Sequence, residues 1–289
     1  MIRDEIFTTD FMNKLEKLSV NVKNISKYGA AGSRKSNAKG MSVEFSDYRK
    51  YNPSDDYRRI DWNAYGKFRK LYVKLFMEEK EAVYRIFIDN SKSMSFSDKN
   101  VMALRLSAAF SYLALCNLDK VLLNPINAHE NNIFLGQGKN FFMKYINYLD
   151  NMSFNDYNSS FDKIKRVNFN GSGISIILSD LFTADNIEDI IKYLAYNNQQ
   201  ILIIHILSPE EINPLINGRI KLVDSETGQE NNLMITPGLL RKYRNRLEKF
   251  CDNISNLCNK YGAYYLNVKS TDPIEKIILE DLIDSFILL

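Results

Sequence analysis

Hydrophobic and polar positions alternate along the chain with two different periods. Val83–Ile88 is a short run of β-branched and aromatic residues, which is typical of a strand buried on both faces. The segment after it has helical spacing, and Ser97 or Asp98 is predicted to be its N-cap. Its apolar stripe consists of Val101, Leu104, Ala108, Tyr112 and Leu115. The pattern therefore predicts a strand, a polar loop and a helix in succession.

The same alternation continues to the end of the chain. Further strands are predicted at 121–129, 133–136, 173–180, 201–207, 219–223 and 263–268, and helices at 141–149, 187–196, 237–261 and 273–289. Strands that alternate with helices favour an α/β fold with a doubly wound, mainly parallel sheet. We assign this domain to residues 81–289.

Residues 1–80 are predicted to form a smaller N-terminal region that contains strands. A short helix is predicted at 6–20 and an extended segment at 41–51. Residues 71–76 alternate with the period of a strand, and the acidic stretch 78–81 separates them from Val83. We expect residues 71–76 to form a hairpin with the Val83–Ile88 strand.

Oxygen-bearing side chains follow the Val83–Ile88 strand at alternating positions, namely Asp89, Ser91 and Ser93. In an open α/β sheet this is where a ligand site is expected. An EF-hand loop is excluded, because its sixth and twelfth positions would be Met94 and Asn100 instead of glycine and glutamate. An aspartyl phosphatase would want a second carboxylate at the position of Ser91. A Mg²⁺ site of hard oxygen ligands and a simple helix cap both remain open.

Composition narrows the function classes. The 289 residues are 45% hydrophobic and 25% charged, with a net charge of +3, which gives no case for nucleic-acid binding. The longest apolar run, 201–207, is too short to cross a bilayer, and the start of the chain lacks the apolar core of a signal peptide. A cytoplasmic protein without membrane insertion is therefore expected. His205 lies in that apolar run and is interpreted as a core residue, which disfavours a zinc site or a histidine-based triad.

Opposite charges surround the single tryptophan at Arg58, Arg59, Asp61 and Trp62. This group is either a structural ion-pair cluster or a partner-binding face. The sequence Gly136-Gln-Gly138-Lys139 is rejected as a phosphate loop, because the required earlier glycine and the following Ser or Thr are missing.

Three separated blocks make the whole chain resemble the domain-of-unknown-function 58 family of bacterial von Willebrand factor A-like proteins. The Asp89-x-Ser91-x-Ser93-Met94 block is shared with all A-type domains. The family's hallmark block is Glu44-Phe45, Arg49-Lys50-Tyr51, Asp55-Asp56 and Arg58-Arg59-Ile60-Asp61-Trp62, and the third block is Ser208-Pro209-Glu210-Glu211 with Leu222-Val223-Asp224 and Glu226-Thr227-Gly228. Two departures are Ser54 in place of a glycine and Gly66-Lys67 in place of Ala-Arg, and a lysine does not reproduce the bidentate fork of an arginine.

The resemblance implies a metal ion-dependent adhesion site that holds Mg²⁺ or Mn²⁺. Its ligands would be Asp89, Ser91 and Ser93 from the first loop, Ser159 from the second, with Ser160 as a rival, and Asp180 from the third, through water. Asp89 and Asp180 are then expected at the ends of adjacent central strands, at the switch point of the sheet.

Two functions from different classes follow. The resemblance implies a non-enzymatic adaptor that works with a MoxR-type AAA+ ATPase, or with another protein that offers an Asp or Glu, in protein assembly or maturation. The alternative is a Mg²⁺-dependent hydrolase of a phosphorylated substrate, which would need a general base near the metal. No histidine falls in the three loops, and this favours the binding module.

Overall fold

The computed structural model describes residues 8–18, 20, 44–53, 57–77, 82–126, 133–134, 136–155, 160–169, 171–224, 228–285 and 287–288. Within these ranges the strands are β1 Glu44–Lys50, β2 Tyr72–Met77, β3 Val83–Ile88, β4 Lys120–Pro125, β5 Ile133–Phe134, β6 Gly173–Ser179, β7 Gln199–Leu207, β8 Gly218–Val223, β9 Glu230–Ile235 and β10 Tyr264–Lys269. The α-helices are α1 Thr9–Leu15, α2 Trp62–Phe68, α3 Lys99–Cys116, α4 Phe142–Asp150, α5 Ile187–Tyr196, α6 Pro209–Ile212, α7 Pro237–Lys260, α8 Ile274–Lys276 and α9 Leu282–Asp284. Short 3-10 turns lie at Tyr57–Arg59, Lys92–Asp98, Lys139–Phe141 and Phe161–Arg166, and a π-helical turn at Ile277–Asp281 joins α8 to α9.

The chain divides into two compact units. The smaller unit is Ile25–Glu81, and the larger one combines Met1–Asn24 with Ala82–Leu289. The sequence-based division placed all of residues 1–80 in one region, whereas the structure assigns α1 to the larger unit. Phe11 and Leu15 of α1 are fully buried, and Glu16 accepts a hydrogen bond from the Tyr112 hydroxyl of α3 at 2.6 Å.

The larger unit is built on a six-stranded sheet in the order β10-β7-β6-β3-β4-β5. The first five strands in this order are parallel, and β5 pairs antiparallel with β4. Every residue of β6 and β7 is buried, as expected for strands covered on both faces. The predicted α/β fold with a doubly wound, mainly parallel sheet is confirmed.

Helices cover both faces of this sheet. On one face α5, α7 and the turn Phe161–Arg166 enclose Phe87, Ile177, Ile201 and Ile203. On the other face α3 packs on the central strands, with α1, α4 and α8 beside it. Successive side chains of a strand point to opposite faces of the sheet. Alternate residues of each strand therefore pack against the two helical layers.

The sheet has its switch point between β3 and β6. From β3 the chain runs through α3 to β4 on one side, whereas from β6 it runs through α5 to β7 on the other. The two strands are adjacent and parallel, so their carboxyl ends lie at the same edge. A crevice at such an edge is the usual place for a ligand in this fold.

The predicted hairpin between residues 71–76 and the central strand is wrong. Residues 72–77 form β2, which pairs antiparallel with β1 in a separate two-stranded sheet of the smaller unit. The pairing of Tyr48 with Lys74 and of Arg49 with Val73 sets the register. Strands β8 and β9 pair antiparallel in a second separate two-stranded sheet, of which only β8 was predicted.

Candidate metal centre

Asp89 is the first residue after β3, and the sheet itself fixes its position. Its backbone N–H donates to the Leu178 carbonyl of β6 at 3.0 Å, which continues the parallel ladder by one residue. Its side chain is 1% exposed. Oδ1 accepts from the Ser91 N–H at 3.0 Å, and Oδ2 accepts from the Ser179 hydroxyl at 2.7 Å. The carboxylate is therefore held in one orientation at the switch point.

Ser91 and Ser93 present their hydroxyls side by side on the loop after Asp89. Their Oγ atoms are 3.0 Å apart, Ser91 is fully buried and Ser93 is partly exposed. Two oxygens that occupy neighbouring corners of an octahedron around Mg²⁺, each about 2.1 Å from the ion, are also separated by about 3.0 Å. The spacing of the two hydroxyls therefore fits neighbouring ligands of a single ion.

The helix-cap alternative finds no support in the hydrogen bonds. Ser91 precedes the turn Lys92–Asp98 without a capping hydrogen bond from its side chain. Asp98 precedes α3 in a left-handed conformation, with φ at 59°, and its side chain does not cap either. Ser97, the other predicted cap, donates its hydroxyl to Glu210 Oε2 at 2.7 Å. Asp98 is therefore the N-cap residue of α3, as one of the two predicted alternatives, but its side chain makes no capping hydrogen bond.

Asp180 directly follows β6, and it lies at the end of the strand adjacent to that of Asp89, as predicted. Its side chain is fully buried. Oδ1 accepts from the Phe182 N–H at 3.1 Å, and Oδ2 is 2.7 Å from the ammonium Nζ of Lys99. The nitrogen of Lys99 also contacts Glu211 Oε1 at 2.5 Å. A buried lysine therefore stands between two carboxylates at this edge.

The predicted second-loop ligand is Ser159, with Ser160 as its rival. Ser159 lies outside the described residues. Its rival Ser160 is partly buried and precedes the turn Phe161–Arg166 without a capping hydrogen bond from its side chain. The assignment of Ser159 therefore stays a prediction.

Burial and charge both act on the Asp89 carboxyl. Its pKa is raised, first because burial disfavours the charged form and second because the negative charge of Asp180 repels it. Hydrogen bonds from Ser179 and Ser91 act in the opposite direction. Asp89, Asp180 and Glu211 together outnumber the one ammonium of Lys99. A cation beside Asp89 would relieve this imbalance, so the donor set suits a hard divalent ion.

The predicted shell does not depend on a cage of charged ligands. Within the part of the chain that is described, no three His, Cys, Asp or Glu side chains are grouped so that they could hold a metal ion together. One carboxylate with two hydroxyls is a different arrangement, which leaves room for water, as Mg²⁺ usually requires.

His205 of β7 is a satisfied core residue, as predicted. It is fully buried beside Ser179, its Nε2 lies 2.9 Å from the Asp180 carbonyl oxygen, and its Nδ1 lies 2.7 Å from the Tyr265 hydroxyl. A carbonyl oxygen only accepts, so Nε2 carries the proton and Nδ1 accepts from Tyr265. Burial lowers the pKa of His205 to about 4. The neutral ring thus helps to fix the backbone of Asp180.

The proposed partner-binding residues of the smaller unit separate into two roles. Asp61 is 5% exposed and caps α2, accepting from the N–H groups of Asn63 and Ala64 at 2.9 and 3.1 Å and from the Tyr48 hydroxyl at 2.8 Å. Its carboxylate is thus used inside the unit and is not presented to a partner. By contrast, Trp62 is 62% exposed, and Arg58 is exposed as well. The side chain of Arg59 lies outside the described part of the molecule.

A pocket of about 240 Å³ opens beside this helix. Tyr48, Asp61, Lys67, Phe68 and Tyr72 are among the residues that line it. Of these residues, Phe68 is 64% exposed. Exposed aromatic groups around a concave surface are a common feature of protein-binding sites.

Sequence reasoning missed the role of Lys99. It lies at the start of an amphipathic stretch, where a lysine normally extends into water. The signal that could have found it is its position ten residues after Asp89, one turn beyond the oxygen-rich loop. Glu211 was noticed only as part of a motif, and its ionic contact with residue 99 required the tertiary structure.

Comparison with known families decides the relationship. The profile of the family described as "Protein of unknown function DUF58" matches residues 47–250. The chain belongs to the DUF58 family. The match spans the candidate metal loops and most of the smaller unit's described residues. No curated protein matches the sequence.

Solved structures resemble this DUF58 chain only distantly. The conserved hypothetical protein BatB from Bacteroides thetaiotaomicron is 13% identical, with 71% of this chain and 98% of that chain covered and a TM-score of 0.42. An aerotolerance-related membrane protein from Bacteroides fragilis, with multiple mutations to serines, is 12% identical, with 70% and 99% covered and a TM-score of 0.41. An uncharacterized membrane spanning protein from Vibrio fischeri is 11% identical, with 70% of this chain and 98% of that chain covered and a TM-score of 0.21.

The α/β fold of this chain follows from the order and direction of the strands in its central sheet. Of the helices in the described ranges, none is both long enough and apolar enough to cross a bilayer.

Proposed function

We propose that this DUF58 chain is a metal-dependent protein-binding adaptor. The observation that carries the proposal is the pair of Ser91 and Ser93 hydroxyls, 3.0 Å apart beside the buried Asp89 at the switch point. This arrangement supplies one carboxylate and two neutral oxygens to a divalent ion. When bound, Mg²⁺ or Mn²⁺ would offer a coordination position to a carboxylate oxygen of the partner.

The chain's own residues prepare this edge for such a contact. Asp89 is fixed by Ser179 and by the Ser91 N–H, so its orientation is set before a cation arrives. Ser93 is the most exposed of the three first-loop residues and therefore marks the side from which a partner approaches. The expected partner is a MoxR-type AAA+ ATPase, or another protein that presents an Asp or Glu. A cytoplasmic location stays a prediction of the sequence.

A single metal–carboxylate contact is modest, so further surface must contribute. Trp62 and Phe68 of the smaller unit are exposed aromatic residues, and exposed Arg58 and Lys67 lie in the same segment. Aromatic and arginine side chains provide most of the energy at many protein interfaces. We propose that the partner also contacts this segment, with Asp61 as the internal cap that holds Trp62 at the start of α2.

The hydrolase alternative draws no support from the described residues. A general base must reach a water or a substrate proton. Both ring nitrogens of His205 are engaged inside the core, and its lowered pKa reflects burial and not a poised base. The binding function is therefore the better supported of the two.

A pull-down of the cognate MoxR-type ATPase with and without EDTA tests the proposal. Capture should fall sharply with the chelator and recover when Mg²⁺ is added in excess. Ser93→Ala should weaken capture in the same direction, because it removes one ligand while leaving the buried Asp89 in place. Lys242→Ala, on the exposed side of α7, is the matched control and should capture normally. Equal capture with and without EDTA would show that the contact does not depend on metal.

A further inference from the structure

Lys99 is an unusual residue to find fully buried. Its ammonium lies 2.7 Å from Asp180 Oδ2 and 2.5 Å from Glu211 Oε1, and its side chain is 1% exposed. The rings of Phe182 and Phe96 lie 5.7 and 6.0 Å from the same nitrogen. A lysine is almost never fully buried unless it is paired, and here both partners are carboxylates. The chain thus carries a cation of its own at the metal edge.

This cation changes what Asp180 can offer to a metal ion. The Oδ2 atom is bound to Lys99, and Oδ1 accepts from the Phe182 N–H at 3.1 Å. Both oxygens of the third-loop carboxylate are therefore engaged by the chain itself. An ion held by Asp89, Ser91 and Ser93 would have its charge offset by one carboxylate directly, while the charge of Asp180 is partly offset by the ammonium that it shares with Glu211.

Glu211 holds Lys99 in place from a separate element. Its Oε2 accepts from the Ser208 N–H at 2.8 Å, and the Ser208 hydroxyl accepts from the Glu211 N–H at 3.1 Å, which together form a capping box at the start of α6. The Glu211 carbonyl also accepts from the Tyr243 hydroxyl at 2.8 Å. The position of this carboxylate is thus set independently of Lys99, and the ammonium has a fixed second anchor.

We infer that Lys99 is a built-in counter-cation that keeps the affinity of the Asp89 centre for divalent ions low. It does so by offsetting the charge of Asp180, the carboxylate whose negative charge acts on Asp89. The inference rests on the proposed metal site and deepens it. A weakly held ion with little neutralisation stays electrophilic, which favours an incoming carboxylate from a partner. Lys99 is a positioning and tuning residue, and it touches neither the ion nor the partner.

The sign of one measurement separates this role from a purely structural one. If Lys99 only orients Asp180, its removal should weaken Mg²⁺ binding, because Asp180 would lose its fixed geometry. If Lys99 competes with the ion, removal of its charge should strengthen binding by about tenfold or more, as expected for a charge acting at short range in a buried site. Methionine is the suitable replacement, since it has a similar length and no charge.

The experiment is a calorimetric titration of Mg²⁺ into the wild-type chain, Lys99→Met, Lys99→Arg and Lys242→Met. We expect tighter binding only in Lys99→Met, with Lys99→Arg close to wild type because it keeps the charge. Lys242→Met removes the same charge from an exposed position on α7 and should bind as wild type does. In thermal unfolding, Mg²⁺ should raise the midpoint of Lys99→Met more than that of the wild type.

Lys99→Met leaves two carboxylates without their cation, which lowers its stability in the absence of metal. The double variant Lys99→Met/Glu211→Gln removes one of these charges and serves as the second test, with the same expected gain in affinity over Glu211→Gln alone. If the wild type binds Mg²⁺ and the variants without the Lys99 charge bind it equally or more weakly, this inference is overturned and the proposed function is unaffected. Tighter binding in the variant than in a wild type with no detectable binding supports the inference and counts against the proposed function. Absence of binding in every variant overturns both.

Discussion

A buried cationic side chain lies toward each edge of the central sheet, and the two have different kinds of partner. At the carboxyl edge, Lys99 lies between Asp180 and Glu211. Toward the amino edge, Arg85 of β3 is 3% exposed, yet its Nη1 donates to the neutral Gln199 Oε1 at 3.1 Å and its guanidinium lies 4.9 Å from the Phe169 ring centroid. No carboxylate pairs with Arg85 among the residues that the structure describes.

This difference shows that the negatively charged side chains are concentrated at the carboxyl edge of the sheet, where the metal site is proposed. Burial alone lowers the pKa of Arg85, and the cation is accommodated by an amide and a ring. At the carboxyl edge, the Lys99 ammonium is shared between Asp180 and Glu211, and the pKa of Asp89 is raised by burial and by the charge of Asp180. Excess negative charge beside two hydroxyls suits a metal ion, whereas an arginine matched to an amide suits only packing.

The largest expected effect follows from breaking the ionic cluster. Lys99→Met should lower the free energy of unfolding, measured in urea without metal, by about 3–5 kcal/mol, because two buried carboxylates lose their cation. The same measurement on Lys99→Met/Glu211→Gln should recover part of this loss. If the single variant is as stable as the wild type, the two edges do not differ in the way described here.

Acid should act mainly on the carboxyl edge. The pKa of His205 is lowered to about 4 by burial, so the folded protein holds a neutral ring that becomes protonated near pH 6.5 in the unfolded chain. The neutral His205 ring therefore contributes up to about 3 kcal/mol to the free energy of unfolding. This contribution is fully present above pH 6.5 and is lost as the pH falls toward 4. Equilibrium unfolding between these pH values measures it.

His205→Phe is the control for the acid effect. It replaces the ring by one that does not titrate, so the difference in pH dependence between variant and wild type isolates His205 from the carboxyl groups. Parallel stability curves for the two proteins would rule out this role for the histidine.

The smallest effect is expected at the other edge. Arg85→Met should change the free energy of unfolding by no more than about 1 kcal/mol. The lost hydrogen bond and ring contact are offset by the relief of burying a charge. Gln199 Oε1 keeps a contact with the Ser175 hydroxyl at 3.3 Å. A loss as large as that of Lys99→Met in the same urea titration would remove the contrast between the edges.

The sequence predicts the sheet well because its strongest signals are local. The buried runs at β3, β6 and β7 and the helices α5 and α7 lie within a few residues of their predicted bounds. Pairing is less visible, because β2 looks the same whether it joins β1 or β3. Helix α3 is buried on nearly all sides, so the single apolar stripe read from the sequence underestimates its contacts.

The candidate site likewise combines local features, which the sequence predicts, with long-range contacts, which it does not predict. The Asp89-x-Ser91-x-Ser93 spacing is local, and the adjacency of Asp89 and Asp180 follows from the rule that links a switch point to strand ends. The contact of Lys99 with Glu211 joins residues 112 positions apart, and no pattern in the sequence encodes it. The same applies to Asp61, which accepts a hydrogen bond from the hydroxyl of Tyr48 on another element of the smaller unit.

Calorimetric titration of Mg²⁺ into the wild-type chain and into Asp89→Asn tests the central claim most directly. Asparagine keeps the shape of the side chain, and its Oδ1 can still accept from the Ser91 N–H while its Nδ2 donates to the Ser179 hydroxyl oxygen. It removes the only carboxylate expected to touch the ion. The account predicts weak, measurable binding to the wild type and none to Asp89→Asn, with nearly identical circular dichroism spectra for the two proteins. Equal Mg²⁺ affinity in both would contradict the placement of the metal at the switch point.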